Sequence, residues 1–210
     1  MPEGQVTVLM GANGAGKSTL VKILCGVHAA DAGEISLFDA PFAPSSPADA
    51  FEKGVVTVHQ SINDGVIPDL DVASNLMLEK LATRGAGFFV SEKALRVEAE
   101  RISKLMGLNL NVRTPVADLG VADRQMIAIA RAMASNPKVL ILDEPTSVLT
   151  PDEADQVLGL VRQMAEAGEI TVLMITHKFR EVTQFADDVS VLRRGRLAGG
   201  GPAAILRLGH

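Results

Sequence analysis

Gly11-Ala12-Asn13-Gly14-Ala15-Gly16-Lys17-Ser18-Thr19 fits G-x-x-x-x-G-K-[ST], the pattern of a phosphate-binding loop. The apolar stretch Val6 to Met10 precedes it and reads as a strand. Lys17 to Gly26, with Leu20, Val21, Ile23 and Leu24, follows and reads as a helix. Strand, loop and helix in that order are the context the pattern needs. Its three glycines let the backbone turn tightly and bring N–H groups up to phosphate oxygens. The start of the helix adds its partial positive charge. Lys17 is placed to reach the β- and γ-phosphates, and the Ser18 hydroxyl to bind Mg²⁺. The alternative is a chance match, and the flanking elements make that rarer. The expected phosphate-binding set is therefore Gly11, Asn13, Gly14, Ala15, Gly16, Lys17, Ser18 and Thr19.

Bulk properties narrow the classes. The chain has 210 residues, 47% of them hydrophobic, which is enough for a real core and too apolar for disorder. Its net charge of −5 and the lack of a dense Lys/Arg cluster argue against nucleic acid as a partner. No apolar run approaches a membrane span, and Met1-Pro2-Glu3-Gly4 does not begin a secretory signal. The expectation is a soluble intracellular protein, or one held at a membrane by a partner. Cys25 is the one cysteine, and it reads as a small buried residue. Tyr and Trp are absent.

Outward from the loop, Gly33 to Phe38 and Val55 to His59 read as strands. Pro47 opens a short helix capped by Ser45 or Ser46. Strand signals then stop from Ser61 to Leu119. Asp71 is placed to cap a helix running to about Leu81, and Ser91 another to about Met106. In the second, Leu95, Ile102 and Leu105 share one face and Glu98, Arg101 and Lys104 point outward. This stretch reads as a helical subdomain inserted into an α/β core. The division is 1–60 with 120–210 as the core and 61–119 as the insertion. The α/β pattern returns with a helix over Val121 to Ala134 and a strand over Lys138 to Asp143. Thr150, Pro151 and Glu153 open the next helix as cap, first-turn proline and capping box, and Gly168 ends it. A strand over Ile170 to Thr176, a helix over Lys178 to Ala186 and a hairpin over Asp188 to Leu197 complete the chain.

In open α/β sheets, ligands sit at the carboxyl ends of the strands. Here those ends carry the phosphate loop after Met10, then His59-Gln60, Asp143-Glu144 and Thr176-His177. Asp143 follows four apolar residues, as a carboxylate that holds Mg²⁺ through water should. Glu144 beside it is placed to act as general base on the water that attacks the γ-phosphate. The bland alternative is a solvated pair of acids, and the phosphate loop weighs against it. Gln60 suits Mg²⁺ coordination and water orientation, although a lone Gln after a strand is usually a surface residue. His177 suits a hydrogen bond to the γ-phosphate, although a lone His is more often structural. His28, His59 and His210 have no such support.

The order Gly11–Thr19, Gln60, helical insertion, Leu119-Gly120-Val121-Ala122-Asp123-Arg124-Gln125, Val139–Pro145, Ser147-Val148-Leu149-Thr150 and His177 resembles the ATP-binding cassette family. The likeness covers nearly the whole chain. It implies an α/β P-loop NTPase core with a mainly parallel sheet and an inserted helical subdomain. It also implies ATP and Mg²⁺ as cofactors, ATP hydrolysis coupled to transport, and a peripheral place on the cytoplasmic face of the cell membrane. By that resemblance Gln60 senses a transmembrane partner. Leu119 to Asp123 is the signature segment, in which Gly120, Val121, Ala122 and Asp123 close over ATP held by the opposite subunit. Asp143 is the Mg²⁺ aspartate, Glu144 the catalytic glutamate, Ser147 to Thr150 the D-loop and His177 the switch histidine. The metal set is Ser18, Gln60 and Asp143, and Lys17 joins the catalytic group. The implied partners are a second cassette, as homodimer or fused pair, a transmembrane permease and, indirectly, a periplasmic or extracellular solute-binding protein. The segments after Asp123 and after His177 look like those of bacterial monosaccharide or nucleoside importers.

The sequence departs from the family pattern in three places. Gly120 stands where the family usually has the serine that bonds the γ-phosphate across the dimer, and Val121 and Asp123 also differ. Thr150 stands where the family has aspartate, and its capping role explains it. The family's adenine-stacking aromatic and its first strands lie upstream of the phosphate loop, and here the ten residues before Gly11 hold neither. Either the chain is truncated or base binding is weak, which implies little preference for ATP over GTP. A soluble non-transport ATPase of the same family and a degenerate or regulatory cassette are the competing readings. A small GTPase is excluded by the lack of an Asn-Lys-x-Asp motif.

Overall fold

The computed structural model describes residues 1–59, 65–78, 91–108 and 110–204. The chain forms two compact units. The first holds the described residues of Met1–Thr57, Pro137–Asp143 and Met164–His210, and the second those of Val58–Asn136 and Glu144–Gln163.

The first unit is built on a six-stranded sheet. Its strands are β1 (Val6–Met10), β4 (Val55–Val58), β5 (Val139–Asp143), β6 (Thr171–Ile175), β7 (Asp188–Arg193) and β8 (Arg196–Pro202), in the order β4-β5-β6-β1-β7-β8. β1 pairs in parallel with β6 and β7, β5 in parallel with β6, and β8 closes antiparallel on β7. The central strands carry nearly continuous apolar runs because a parallel sheet is covered on both faces. Leu140, Ile141 and Leu142 are accordingly fully buried. Leu9, Ile141, Leu173 and Ile175 line one face. Val21 and Cys25 of helix α1 (Lys17–Leu24 and its cap) cover them, with Phe42, Ala50 and Val55.

The expected strand over Gly33 to Phe38 shrinks to β2 (Ser36–Leu37), which pairs only with β3 (Ala40–Pro41). Two residues are all that this small hairpin can pair, since its turn begins at Phe38, whose φ is +50°. Helix α2 (Pro47–Glu52) starts as read, with the Ser46 hydroxyl accepting from the Asp49 N–H at 3.2 Å. Helix α7 (Phe179–Phe185) buries Val182 and Phe185.

The described part of 61–119 contains helix α3 (Val72–Leu76), helix α4 (Glu92–Leu105) and a 3₁₀ turn over Val116–Asp118. Asp71 caps α3 by accepting from the Ser74 N–H at 2.8 Å. The helix stops at Leu76, short of the expected Leu81; residues 79–90 lie outside the described residues. Ser91 makes no side-chain cap bond. The expected face of α4 needs correction. Leu105 is 61% exposed, and the buried residues are Ala99, Ile102 and Ser103, with Met106 just beyond the helix. Their i, i+3, i+4, i+7 spacing is the true inner stripe. A polar residue can sit on it because the Ser103 hydroxyl donates to the Leu108 carbonyl at 3.0 Å. Helix α5 (Val121–Ala134) buries eight residues from Gln125 to Met133 and ends before Asn136, which takes the left-handed conformation ahead of Pro137. Helix α6 runs Pro151–Glu166.

Cys25 is 6% exposed, and burial pushes its thiol above the ordinary range. A lower thiolate fraction and blocked access both slow disulfide exchange. Native protein is expected to react with a chromogenic disulfide reagent at least about tenfold more slowly than urea-unfolded protein. Equal rates would show that the α1 end is not packed on the sheet.

Candidate functional site

The phosphate loop leaves β1 at its carboxyl end and feeds α1. Gly16 is the N-cap with φ +104°, a conformation in which a side chain is strained. No side chain caps the helix, and the start of a helix carries N–H groups that have no partner within it and suit an anion. A Cβ on Gly11 would lie 2.5 Å from the Leu192 carbonyl oxygen, so the entry to the loop admits only glycine. The turn between β7 and β8 braces the loop from outside, where the Gly195 N–H donates to the Ala15 carbonyl at 2.8 Å. Lys17 Nζ donates to the carbonyls of Gly11 at 2.7 Å and Ala12 at 3.2 Å. The ammonium is therefore held across the mouth of the loop.

Strand register sets the next two groups. Asp143 pairs with Ile175, and Ile175 with Leu9. These three residues form one row across three neighbouring strands. Side chains in a row share a face, so Asp143 stands on the face that α1 covers. With strands about 4.8 Å apart, its Cα lies roughly 10 Å from that of Leu9, two residues before the loop. Thr176 and the exposed His177 follow Ile175 directly, at the same sheet end. The first unit thus brings together Gly11–Thr19, Asp143 and His177. The Ser18 hydroxyl and the Asp143 carboxylate are hard oxygen donors of the kind Mg²⁺ takes. Gln60 lies outside the described residues.

The second unit carries Gly120–Asp123, Glu144 and Ser147–Thr150. Gly120 is the N-cap of α5, in extended conformation and without a side chain to cap it. Arg124 turns back to fix the approach to Gly120, donating from Nε to the Leu119 carbonyl at 3.1 Å and from Nη2 to that of Ala117 at 2.7 Å. Glu144 has φ +50°, a strained conformation for a residue with a side chain, on the order of 1 kcal/mol or more. Such strain concentrates at functional positions. At the start of α6, the Thr150 N–H and hydroxyl each meet the Glu153 carboxylate at 2.8 Å, and the Glu153 N–H returns to the hydroxyl at 3.4 Å. This is the expected capping box.

Sequence reasoning passed over Gln125. It is 1% exposed, and its Nε2 donates to the Pro145 carbonyl at 3.0 Å. One side chain therefore ties α5, just after Asp123, to the chain just after Glu144. The available signal was a glutamine opening the apolar run Met126-Ile127-Ala128-Ile129. It gave no role to the Thr176 side chain or to Glu181, which are hydrogen-bonded to each other on either side of His177 in the sequence.

The Thr150 backbone N–H, and then its hydroxyl, hold the Glu153 carboxyl below its ordinary range. A lowered folded value means that this contribution is present above the unfolded value and fades as pH falls through the folded one. Thr150→Val removes the hydroxyl and keeps the N–H. A partial upward move of the Glu153 titration, read from its carboxyl carbon resonance, is expected. An unmoved titration would show that the box does not form in solution.

Comparison with known proteins gives the family and the fold. The ABC transporter family profile matches residues 1–147. A putative ribose/galactose/methyl galactoside import ATP-binding protein from Agrobacterium fabrum is 41% identical over 199 residues, covering 95% of this chain and 38% of the relative. A ribose import ATP-binding protein from Streptomyces coelicolor is 39% identical over 201 residues, covering 96% and 38%. The chain thus spans about two fifths of the length of these relatives. Among solved structures, cbiO1 from Clostridium perfringens, part of an ABC transporter complex, is similar at a TM-score of 0.82 and 25% identity, over 100% of this chain and 81% of that one. The cassette MJ0796, bound to ADP and phosphate after hydrolysis, matches in fold at a TM-score of 0.83 over 97% of this chain and 87% of that one. A phosphate loop, an aspartate at the same sheet end and a family profile over more than two thirds of the sequence place this chain in the ABC transporter family, as an ATP-binding cassette.

Proposed function

We propose that this chain is the ATP-binding and ATP-hydrolysing part of a membrane importer for a monosaccharide. The observation that carries the reading is the shared sheet end of the phosphate loop, Asp143 and His177. Support for the sugar class comes from the import ATP-binding relatives. In this reading the loop N–H groups and Lys17 bind the phosphates. Ser18, Asp143 and Gln60 hold Mg²⁺, which when bound neutralises charge on the β- and γ-phosphates. Glu144 takes a proton from the attacking water, and His177 donates a hydrogen bond to the γ-phosphate. Gly120 to Asp123 act on ATP held by a second cassette. Residues 61–119 form the helical subdomain that, with Gln60, faces a permease, and a solute-binding protein acts through that permease. The chain then works at the cytoplasmic face of the cell membrane. Among the described residues no helix is long and apolar enough to cross a membrane.

Glu144→Gln tests the chemistry. It is expected to lower ATP turnover about a hundredfold or more, the usual contribution of a general base, while ATP binding and ATP-dependent dimers persist. Full turnover in this variant would remove Glu144 from the reaction.

Gly120 can be tested separately. A Cβ there meets only Asp123 Oδ2, at 3.7 Å, and the backbone φ of −66° suits any residue. Gly120→Ser therefore fits, caps α5, and adds a donor for phosphate. A several-fold rise in ATPase rate is expected. A more stable protein with no faster turnover would confine the serine to capping.

A further inference from the structure

His177 stands at a bend between the last residue of a buried strand and the first turn of α7. Three side chains beneath it fix that bend. The Thr176 hydroxyl, in a residue only 4% exposed, donates to Glu181 Oε2 at 2.7 Å. Its one proton is committed there, so its lone pairs face elsewhere, and one accepts from the Lys178 N–H at 3.1 Å. Lys178 Nζ lies 3.4 Å from Glu181 Oε1. The Glu181 N–H donates to the Lys178 carbonyl at 3.0 Å, which closes the first turn of α7. The backbone on both sides of His177 is thereby tied to one carboxylate.

That carboxylate is 3% exposed. Placing a carboxylate in such a site is expensive unless it is paired and fully hydrogen-bonded. A surface cap with an exposed glutamate would end the helix at far lower risk. Burial gives rigidity instead, since a fully satisfied polar network in a low-dielectric site fixes its members in place. A hydrogen bond to a transferred phosphoryl group demands placement within a fraction of an ångström.

We infer that Thr176 and Glu181 are positioning residues for His177, with Lys178 as the counter-charge. Thr176 and Glu181 touch no nucleotide in this account. Their effect on hydrolysis passes through the imidazole, so the inference rests on the reading of His177 given above.

The test is a double-mutant cycle on ATP turnover. Thr176→Val and Glu181→Gln are each expected to lower kcat about tenfold with the ATP dissociation constant within twofold of wild type. In a His177→Ala background the same changes should have no further effect, because the group they place is gone. Thr176→Ser, which keeps the hydroxyl, should recover most of the rate. A drop of equal size in both backgrounds, or an ATP affinity that falls with kcat, would mark general destabilisation and overturn the inference. A second readout needs no turnover. The Lys178 amide should exchange with solvent at least tenfold faster in Thr176→Val, while strand amides such as Leu173 keep their protection. An unchanged Lys178 amide would also overturn it. If His177→Ala hydrolyses ATP at the wild-type rate, the assigned role of His177 fails, and the amide exchange alone decides whether the brace exists.

Discussion

The parallel register of β5, β6 and β1 is the constraint on which the first unit depends. It sets Asp143, Ile175 and Leu9 in one row. A slip of one residue in β5 would move Asp143 to the opposite face and turn Ile141 away from α1. The slip is prevented by the same apolar side chains that make the core. Leu140, Ile141 and Leu142 are all fully buried, so both faces of β5 are committed at once. The position of one acidic oxygen thus follows from where hydrocarbon packs, and no separate device is needed to aim it.

Much of this was legible because it is written locally. Gly11 to Thr19 needs only its flanking strand and helix, and Thr150-Pro151-Asp152-Glu153 needs only its own four residues. The uninterrupted Val139 to Leu142 announces a strand covered on both sides. What escaped notice depends on partners distant in sequence. Leu105 looks like a core residue by its hydropathy, yet Ser103 takes the inner stripe because Leu108 offers a carbonyl. Gln125 carries no role in the sequence until Pro145, twenty positions on, becomes its partner. Gly33 to Phe38 has strand chemistry, but its pairing ends after two residues. The left-handed backbone of Glu144 has no signature, because residues with side chains seldom adopt it.

Polar groups inside the two units follow a common logic. Asn75, fully buried, holds Ile67 from both sides, with Oδ1 accepting from its N–H at 2.7 Å and Nδ2 donating to its carbonyl at 2.9 Å. Gln125 fixes the chain after Glu144, and Glu181 fixes the bend at His177. Asn75 and Gln125 satisfy backbone groups that belong to loops, where no regular ladder is available, and Glu181 takes the Thr176 hydroxyl. Each also makes one arrangement much better than its neighbours, because a misplaced partner leaves a buried polar atom unpaired.

The phosphate loop shows the other way to hold a loop still. Gly11 lies too close to the Leu192 carbonyl for any Cβ, and Gly16 turns where a side chain would be strained. The Gly195 N–H takes the Ala15 carbonyl from outside. That outside contact is a backbone one, and it takes up a carbonyl of the loop and none of its N–H groups. The loop's own Lys17 spans that mouth by bonding to carbonyls of Gly11 and Ala12. Neutral carbonyls are weaker partners for an ammonium than phosphate oxygens. A phosphate at the loop would therefore compete well for the same Nζ, and exchange between the two sets of acceptors needs only side-chain torsions, while the backbone cradle stays as folded.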